Sequence, residues 1–209
     1  MRSRCGSGKS ESVRHLVLMT IDSVILVSLW MIVPLGLLGS VLHFLFDWTK
    51  HNRLVALFSA VNESYWEHIK IAIWPVLVLQ IVLFSLGGYQ IYSFVPATTI
   101  ALYSIPVSMV GLVFLYKSVT KRNVLWLDIS IFFVCIAIAQ SIFVLILRQL
   151  SPTTGTVVMS SLFLLGLVVA FLLFTFRPPK EPDLFQDPIN RDYGLRAHPD
   201  LEPKSSDRP

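Results

Sequence analysis

The amino-acid sequence predicts an all-α polytopic membrane protein with five transmembrane helices and a short interfacial or re-entrant helix between the first and the second. Of the 209 residues, 54% are hydrophobic and 14% are charged, whereas soluble domains average about 45–50% apolar and about 25% charged residues. Five apolar runs each reach the roughly 20 residues that a helix needs to cross a ~30 Å hydrocarbon core. A further run, from Leu54 to Val61, is far too short to span. We therefore divide the chain into a polar tail (1–15), one membrane domain (16–177) and a C-terminal tail (178–209).

The N-terminal tail is polar and basic, and we expect it to lie against an anionic lipid surface. It contains the stretch GSGKS, which resembles part of a phosphate-binding loop. That motif requires a glycine where Ser3 stands, and a preceding strand in a soluble α/β unit. We therefore expect no nucleotide site there. The apolar run that follows is too long for the hydrophobic region of a cleaved signal peptide.

The first spanning segment is predicted over the apolar run from Leu16 to Leu42. Pro34, Gly36 and Gly39 favour a kink and the close approach of a neighbouring helix, because small residues let backbones pack tightly in lipid. The run contains one acid, Asp22. An unpaired charge is costly inside the bilayer, so this acid either lies near the head groups or faces another helix.

Four further spanning segments are predicted, over residues 69–94, 96–115, 124–147 and 152–176. The second and third are joined by a very short turn and form an antiparallel hairpin. Asn123 is the candidate N-cap of the fourth segment, and Ser151 followed by Pro152 is the candidate start of the fifth. Gln80 and Gln140 fall in the middle of their segments, which predicts hydrogen bonding between helices.

The C-terminal tail is rich in proline and has too little apolar surface to fold by itself. Leu184, Phe185 and Tyr193 in its front half can dock against the membrane domain, whereas the last dozen residues are predicted to be disordered. Four spans, an even number, separate this tail from residues 43–70, so both lie on the same side of the membrane. Basic residues near the membrane favour a cytoplasmic C-terminus, although the basic N-terminal tail favours the opposite orientation. The predicted location is the cell membrane.

Ionisable side chains gather in one stretch of the chain, residues 43–70. This stretch contains three of the five histidines and three of the thirteen acids, whereas the other long segments are almost uncharged. His43, Asp47 and His51 recur every four residues, so they share one face if the first helix continues through them. The short apolar run from Leu54 to Val61 then brings Glu63 and Glu67, which follow it, back towards these residues.

Carboxylates and imidazoles are ligands that a divalent transition metal prefers, and a metal can hold like charges together. The stretch therefore predicts a divalent metal site with these ligands: His43, Asp47, Glu63, Glu67 and His68. Of these, Glu63, Glu67 and His68 are the candidate catalytic residues. The other polar residues expected at the site are His51, Asn62, Lys70 and Asp128, of which Asp128 is the acid expected to complete it from the fourth segment.

The same residues admit a structural interpretation. Ser64 to Glu67 fits the S-x-x-E capping box, in which Glu67 simply starts the second segment. Glu67 with Lys70, and Asp47 with Lys50, have the spacing of surface ion pairs. The metal motif is unspecific, because the stretch has neither an H-E-x-x-H sequence nor the Glu-x-x-His spacing of di-iron bundles. Four aromatic residues fit a belt at the head groups: Trp48, Tyr65, Trp66 and Trp74.

Three stretches of sequence carry a resemblance to a known family: LHFLFDWTKHNRLVALFSAVNESYWEHIK, LWLDISIFF and FRPPKEPDLFQDPINRDYG. Over roughly Gly39 to Gly194, the chain resembles a family of small bacterial multipass membrane proteins catalogued as a domain of unknown function. The NESYWEH core is the most distinctive part of the match. The resemblance implies a five-helix membrane fold and no mechanism.

Three functions from different classes remain open. The first is a membrane-embedded hydrolase or transferase, in which the site holds a metal or polarises water beside a lipid-like substrate. The second is a noncatalytic scaffold or regulatory subunit that binds a partner protein. The third is a proton-coupled transporter that uses Asp22, Glu63, Glu67 and Asp128, although five helices give no even inverted repeat. The expected partners are membrane lipids and, for a scaffold, a protein; no basic stripe interleaved with aromatics indicates nucleic acid.

Overall fold

A computed structural model describes residues 19–198, and its regular structure is entirely helical. No strand lies within the described residues. The helices are α1 (Ile21–Trp30), α2 (Ile32–Trp48), α3 (Tyr65–Ser85), α4 (Phe94–Thr120), α5 (Leu125–Gln149) and α6 (Thr154–Phe176). Helices α3 to α6 are each long and apolar enough to cross a membrane, and α1 with α2 makes a fifth span if the bent pair is counted as one. The predicted all-α multipass fold is confirmed.

The first span is broken at Met31, where α1 and α2 meet at an angle of 51°. Pro34 has no N–H to donate to the carbonyl of Trp30, and its ring crowds that carbonyl, so the helix bends there. The predicted kink is therefore present. Beyond it, α2 continues to Trp48, past the expected end at Leu42.

Gly39 lies where α2 approaches two neighbouring helices closely. A Cβ atom at this position would lie 2.5 Å from Cζ of Phe132 in α5 and 2.9 Å from the carbonyl oxygen of Ile71 in α3. Only glycine fits such a contact, which agrees with the predicted close packing.

Gln80 of α3 donates a hydrogen bond of 3.2 Å to Gln140 of α5, and both side chains are buried. The predicted link between the second and fourth spans is confirmed.

Two predicted helix starts are wrong. Thr153, and not Ser151, is the N-cap of α6, and its hydroxyl accepts a 3.2 Å hydrogen bond from the N–H of Thr156. In α5 the N-cap is Val124, without a side-chain cap, and not Asn123.

Asp22, near the start of α1, is exposed and lies 3.6 Å from Arg148. The acid of the first span is thus on the surface.

Residues 49–64 connect α2 to α3 without crossing the bundle. The predicted short helix is a single 3₁₀ turn, Val55–Leu57. Ala56 and Val61 are buried, with 0% and 1% of their surface exposed. The connection is therefore a packed loop at one end of the bundle, in which Ala56, Ala60 and Val61 turn inward while Leu54 and Phe58 stay exposed.

The C-terminal tail folds back on this loop, as predicted for its front half. Phe185 is 6% exposed, and its ring lies 4.8 Å from that of Trp66 at the start of α3. Trp66 also packs on Phe171 of α6 and so belongs to the interior rather than to an outer aromatic belt. Close to the end of the described residues, Ala197 is fully buried as well. The N-terminal tail with GSGKS lies outside the described residues. So do the last dozen residues, which were predicted to be disordered, apart from residue 198.

Candidate functional site

The ionisable residues of the stretch 43–70 lie at one end of the bundle, between α2, the 49–64 loop, the start of α3 and the C-terminal tail. They do not form one cluster. The structure separates them into three groups, each with its own partners. The expected convergence of five ligands on one cavity is therefore not observed.

The first group consists of His43, Glu63 and His68, and we call it the His43 group. Nε2 of His43 lies 3.5 Å from one carboxylate oxygen of Glu63, and Nε2 of His68 lies 3.7 Å from the other. The two imidazole rings are 5.3 Å apart. Two rings from different helices thus face one carboxylate from the loop between them.

The ring of His68 is oriented by the backbone. Its Nδ1 lies 2.9 Å from the carbonyl oxygen of Ser64, which can only accept a hydrogen bond, so Nδ1 carries the proton. In the neutral ring, the lone pair of Nε2 then faces Glu63. A hydrogen bond from the second ring nitrogen to a backbone carbonyl is the usual support of a metal-binding histidine.

The distances within the His43 group suit a tetrahedral metal. Bonds of about 2.0–2.2 Å to nitrogen and oxygen place neighbouring ligand atoms about 3.4 Å apart. The two nitrogen–oxygen distances of 3.5 and 3.7 Å are close to this value, and all three ligand atoms lie within 4.8 Å of one another. Small side-chain rotations would complete the geometry. Nδ1 of His43 is buried and has no hydrogen-bond partner among the described residues.

Glu63 stands where three clefts meet. The first, about 330 Å³, runs between α2, α3 and α5 and is mostly apolar, with Phe44, Ile71 and Phe132 in its wall. The second, about 310 Å³, has a more polar wall that includes Lys117. The third, about 270 Å³, lies under the C-terminal tail. The His43 group is therefore reached both from an apolar and from a polar side.

Asp128 of α5 lies beside the His43 group. It lines the first and second clefts together with Glu63 and His68. Its carboxylate accepts a hydrogen bond from the hydroxyl of Tyr116, which comes from the end of α4. Within the described residues, it is the one carboxylate besides Glu63 that lines both clefts.

Glu67 and Lys70 form the second group, which is buried away from the first. Their side chains are 2% and 0% exposed and lie 2.6 Å apart. The ammonium of Lys70 also donates to the carbonyl of Ala56 at 2.8 Å and to the hydroxyl of Thr175 at 3.3 Å. These contacts tie the loop, α3 and α6 together. Because the ammonium of Lys70 donates to these groups, the Glu67–Lys70 pair has a structural role.

The capping-box prediction for Glu67 is wrong. Its carboxylate accepts a 3.0 Å hydrogen bond from the N–H of Val61, and not from that of Ser64. The N–H of Ser64 donates to the side-chain oxygen of Asn62 at 2.9 Å, and Ser64 makes no side-chain cap. Asn62 in turn donates to the carbonyl of Gly194 at 2.9 Å. Asn62 thus links the loop to the tail and is not part of the ligand set.

The third group consists of Asp47, His51 and His198, and we call it the Asp47 group. Oδ1 of Asp47 lies 2.8 Å from Nε2 of His198 and 3.6 Å from Nε2 of His51. Asp47 therefore does not join the His43 group, although it lies one turn further along the same helix. His198 could not be found from the sequence, because it lies 151 residues from Asp47 in a tail that was expected to do little.

Asp187 of the C-terminal tail is a further residue at the site, outside the ligand set predicted from the sequence. It is 2% exposed, and its Oδ2 accepts a 2.9 Å hydrogen bond from the backbone N–H of Glu63. Its Oδ1 accepts from the N–H of Ile189 at 2.7 Å and from that of Asn190 at 3.3 Å. The one available signal was its place in DLFQDPINRDYG, a stretch that carried the family resemblance.

Comparison with known proteins gives one family. A family model described as a family of unknown function (DUF6512) matches residues 17–195, which include the His43 group and Asp187. The resemblance to an unknown-function family is thereby confirmed. Neither a curated protein nor a solved structure matches the chain significantly.

Proposed function

Because the chain belongs to the DUF6512 family, whose function is unknown, we propose its activity from the site alone: a membrane-embedded, metal-assisted hydrolase or transferase that acts on a lipid-like substrate. The observation that carries this proposal is the placement of His43 and His68 at 3.5 and 3.7 Å from the two oxygens of Glu63. Two imidazoles and one carboxylate are a ligand set of catalytic zinc sites, in which a fourth position holds water or substrate.

The first cleft supports a substrate with a hydrocarbon chain. Its wall is apolar, and Phe44 and Ile129 at its rim are 50% and 52% exposed on the outer surface of the bundle. In a membrane, acyl chains contact such a surface. A lipid entering between α2 and α5 would place its polar end at the His43 group.

The second cleft supports the polar part of the reaction. Lys117 and Asn123 line it and can bind an anionic head group. A metal held by the His43 group would lower the pKa of bound water towards neutrality and so supply a nucleophile. Asp128 is the candidate acid or base that exchanges a proton with this water or with the leaving alcohol. We place this chemistry at the cell membrane.

The two other classes of function have less support. For the transporter, Asp22 is exposed and Glu67 is paired with Lys70, so two of its four acids are not placed to relay a proton between them. For the scaffold, a bound protein partner remains a proposal without a specific surface to carry it. No nucleic acid or nucleotide enters either proposal.

Elemental analysis of the detergent-purified protein tests the metal. We expect a zinc-class ion that is retained in wild type and lost in Glu63→Gln and in His68→Gln, whereas Glu181→Gln, a change of an exposed acid in the tail, retains it. Lipid hydrolysis, followed by mass spectrometry of ester-linked and phosphodiester lipids in mixed micelles, should be lost in the same two variants. Equal metal content in wild type and in both variants would overturn the proposal.

A further inference from the structure

We propose that the Asp47 group is a second metal site, which fastens the C-terminal tail to the end of α2. Three residues converge on it, His51, His198 and Asp47, each with one ligand atom within 4.8 Å of the other two. Both imidazoles face the same carboxylate oxygen, at 3.6 and 2.8 Å. The two rings are 4.4 Å apart.

These distances bracket the separation of ligands around a tetrahedral ion. Neighbouring ligand atoms in such a site lie about 3.4 Å apart. The 3.6 Å contact is already near this value, whereas the 2.8 Å contact is a hydrogen bond that must lengthen by about half an ångström. A metal can therefore replace the proton that His198 and Asp47 share, and its binding releases that proton.

The backbone places His51 for this role. Lys50 and His51 have φ angles of 54° and 61°, in the left-handed region that non-glycine residues seldom adopt. Their N–H groups donate to the carbonyls of Asp47 and Phe46, both at 3.0 Å, and so close the end of α2. The reversal turns the ring of His51 back over the last turn of the helix and towards Asp47.

The tail places His198 from the other side. Its ring is 7% exposed and packs edge-on against Phe46, with centroids 5.2 Å apart. Phe46 is 1% exposed and also lies 5.2 Å from the ring of His51. The carbonyl of Ala197 accepts a hydrogen bond from Asn190. Both histidines are thus supported by one buried ring.

The ligand set is chemically that of zinc or a neighbouring first-row metal, because it combines two imidazoles with one carboxylate. The site shares no ligand with the His43 group. The two groups nevertheless line the same third cleft, with Asp47 and His198 on one side and His43 and Glu63 on the other. An ion in the Asp47 group would hold the tail closed over that cleft, because it binds only where the tail is docked.

Zinc stoichiometry separates the two sites. Detergent-purified protein is stripped with a chelator, titrated with ZnCl₂ and assayed by elemental analysis. We expect two zinc ions per chain in wild type, one in His198→Gln, one in His51→Gln, one in His68→Gln and none in the double variant of residues 68 and 198. Glutamine keeps a hydrogen-bond donor for Asp47 but is a poor zinc ligand, so the tail can still dock.

Limited trypsin digestion gives a second readout, since Lys180, Arg191 and Arg196 lie in the tail. In wild type, zinc at ten times its Kd should slow cleavage of the tail by about tenfold. In His198→Gln the cleavage rate should not respond to zinc. Wild-type stoichiometry and zinc protection in both His198→Gln and His51→Gln would overturn this site. Loss of an ion in His198→Gln but not in His68→Gln would leave it standing and overturn the metal of the proposed function.

Discussion

Asp187 accepts a 2.9 Å hydrogen bond from the backbone N–H of Glu63, although the two residues are 124 positions apart. Glu63 precedes α3 and lies in no regular element, so the helix does not fix its backbone. Its orientation towards His43 and His68 therefore depends on the tail. The carboxylate of Asp187 is buried and is itself held by two backbone N–H groups of its own turn.

Replacement of Asp187 by alanine should loosen the His43 group. The change removes the carboxylate that accepts three partly buried backbone hydrogen bonds, at a cost of about 1–3 kcal/mol. We expect a lower melting temperature in detergent and weaker zinc binding at the His43 group, measured by competition with a chromophoric chelator. Asp183→Ala, a change of an exposed acid in the same tail, is the control and should alter neither. Unchanged zinc affinity in a folded Asp187→Ala protein would show that the tail does not position Glu63.

The helices were predictable, because a span needs a long apolar run and five such runs are present in the sequence. The site was predictable only in part, because the spacing of ionisable residues along the chain does not show where a helix begins. Glu63 and Glu67 are four residues apart, but α3 begins at Tyr65, so they do not share a helix face. One joins the His43 group, and the other turns into the core towards Lys70.

The particular partners of Asp187 and His198 could not be predicted from the sequence, for a different reason. Asp187 and His198 act on residues more than 120 positions away, and the proline-rich composition around them gives no periodic pattern. Their positions depend on tertiary packing, chiefly that of Phe185 on Trp66. No local rule predicts such contacts, whereas the four-residue spacing of His43 and Asp47 agrees with the continuation of α2 to Trp48.

Truncations should measure how much the tail contributes. A stop after residue 198 removes PDLEPKSSDRP, a segment rich in proline and charge with little apolar surface to bury, and should leave the melting temperature unchanged. A stop after Leu195 also removes the buried Ala197 and His198, so we expect a lower melting temperature. A stop after Pro179 further removes Phe185 and Asp187 and should lower it most. Equal melting temperatures for the last two stops and the full chain would contradict the docked tail.

Gly39 should tolerate no side chain. Gly39→Val would force a Cβ against the ring of Phe132 and the carbonyl of Ile71, and overpacking of this kind costs about 1–3 kcal/mol. We expect lower yield and a lower melting temperature. Gly111→Val is the matched control, because a Cβ at Gly111 meets nothing within 4 Å. If both variants behave alike, the close approach of α2 to α3 and α5 is not present in the folded protein.

The path of the chain can be checked by cysteine labelling. Lys50, Lys121 and Lys180 are exposed and lie on the side of the site, whereas Gln90 lies in the α3–α4 connection on the opposite side. Single cysteines at the first three positions, in a chain without its native cysteines, should react with an impermeant maleimide from one side of the membrane. A cysteine at position 90 should react from the other. Labelling at 50 and 121 from opposite sides would exclude five spans.

We expect the Glu67–Lys70 pair to contribute to the stability of the fold and not to zinc binding. Lys70→Met removes the cation but leaves the carboxylate buried, and breaking a buried pair in this way costs about 3–5 kcal/mol. Glu67→Gln keeps an acceptor for the N–H of Val61, so the double variant should recover part of the lost stability. Unfolding in detergent, followed for both single variants and the double variant, gives the coupling energy.

Because Glu67 lies outside the His43 group, folded Glu67→Gln should retain the zinc that Glu63→Gln loses. Loss of zinc in both would instead place Glu67 among the ligands and require the loop to rearrange on metal binding.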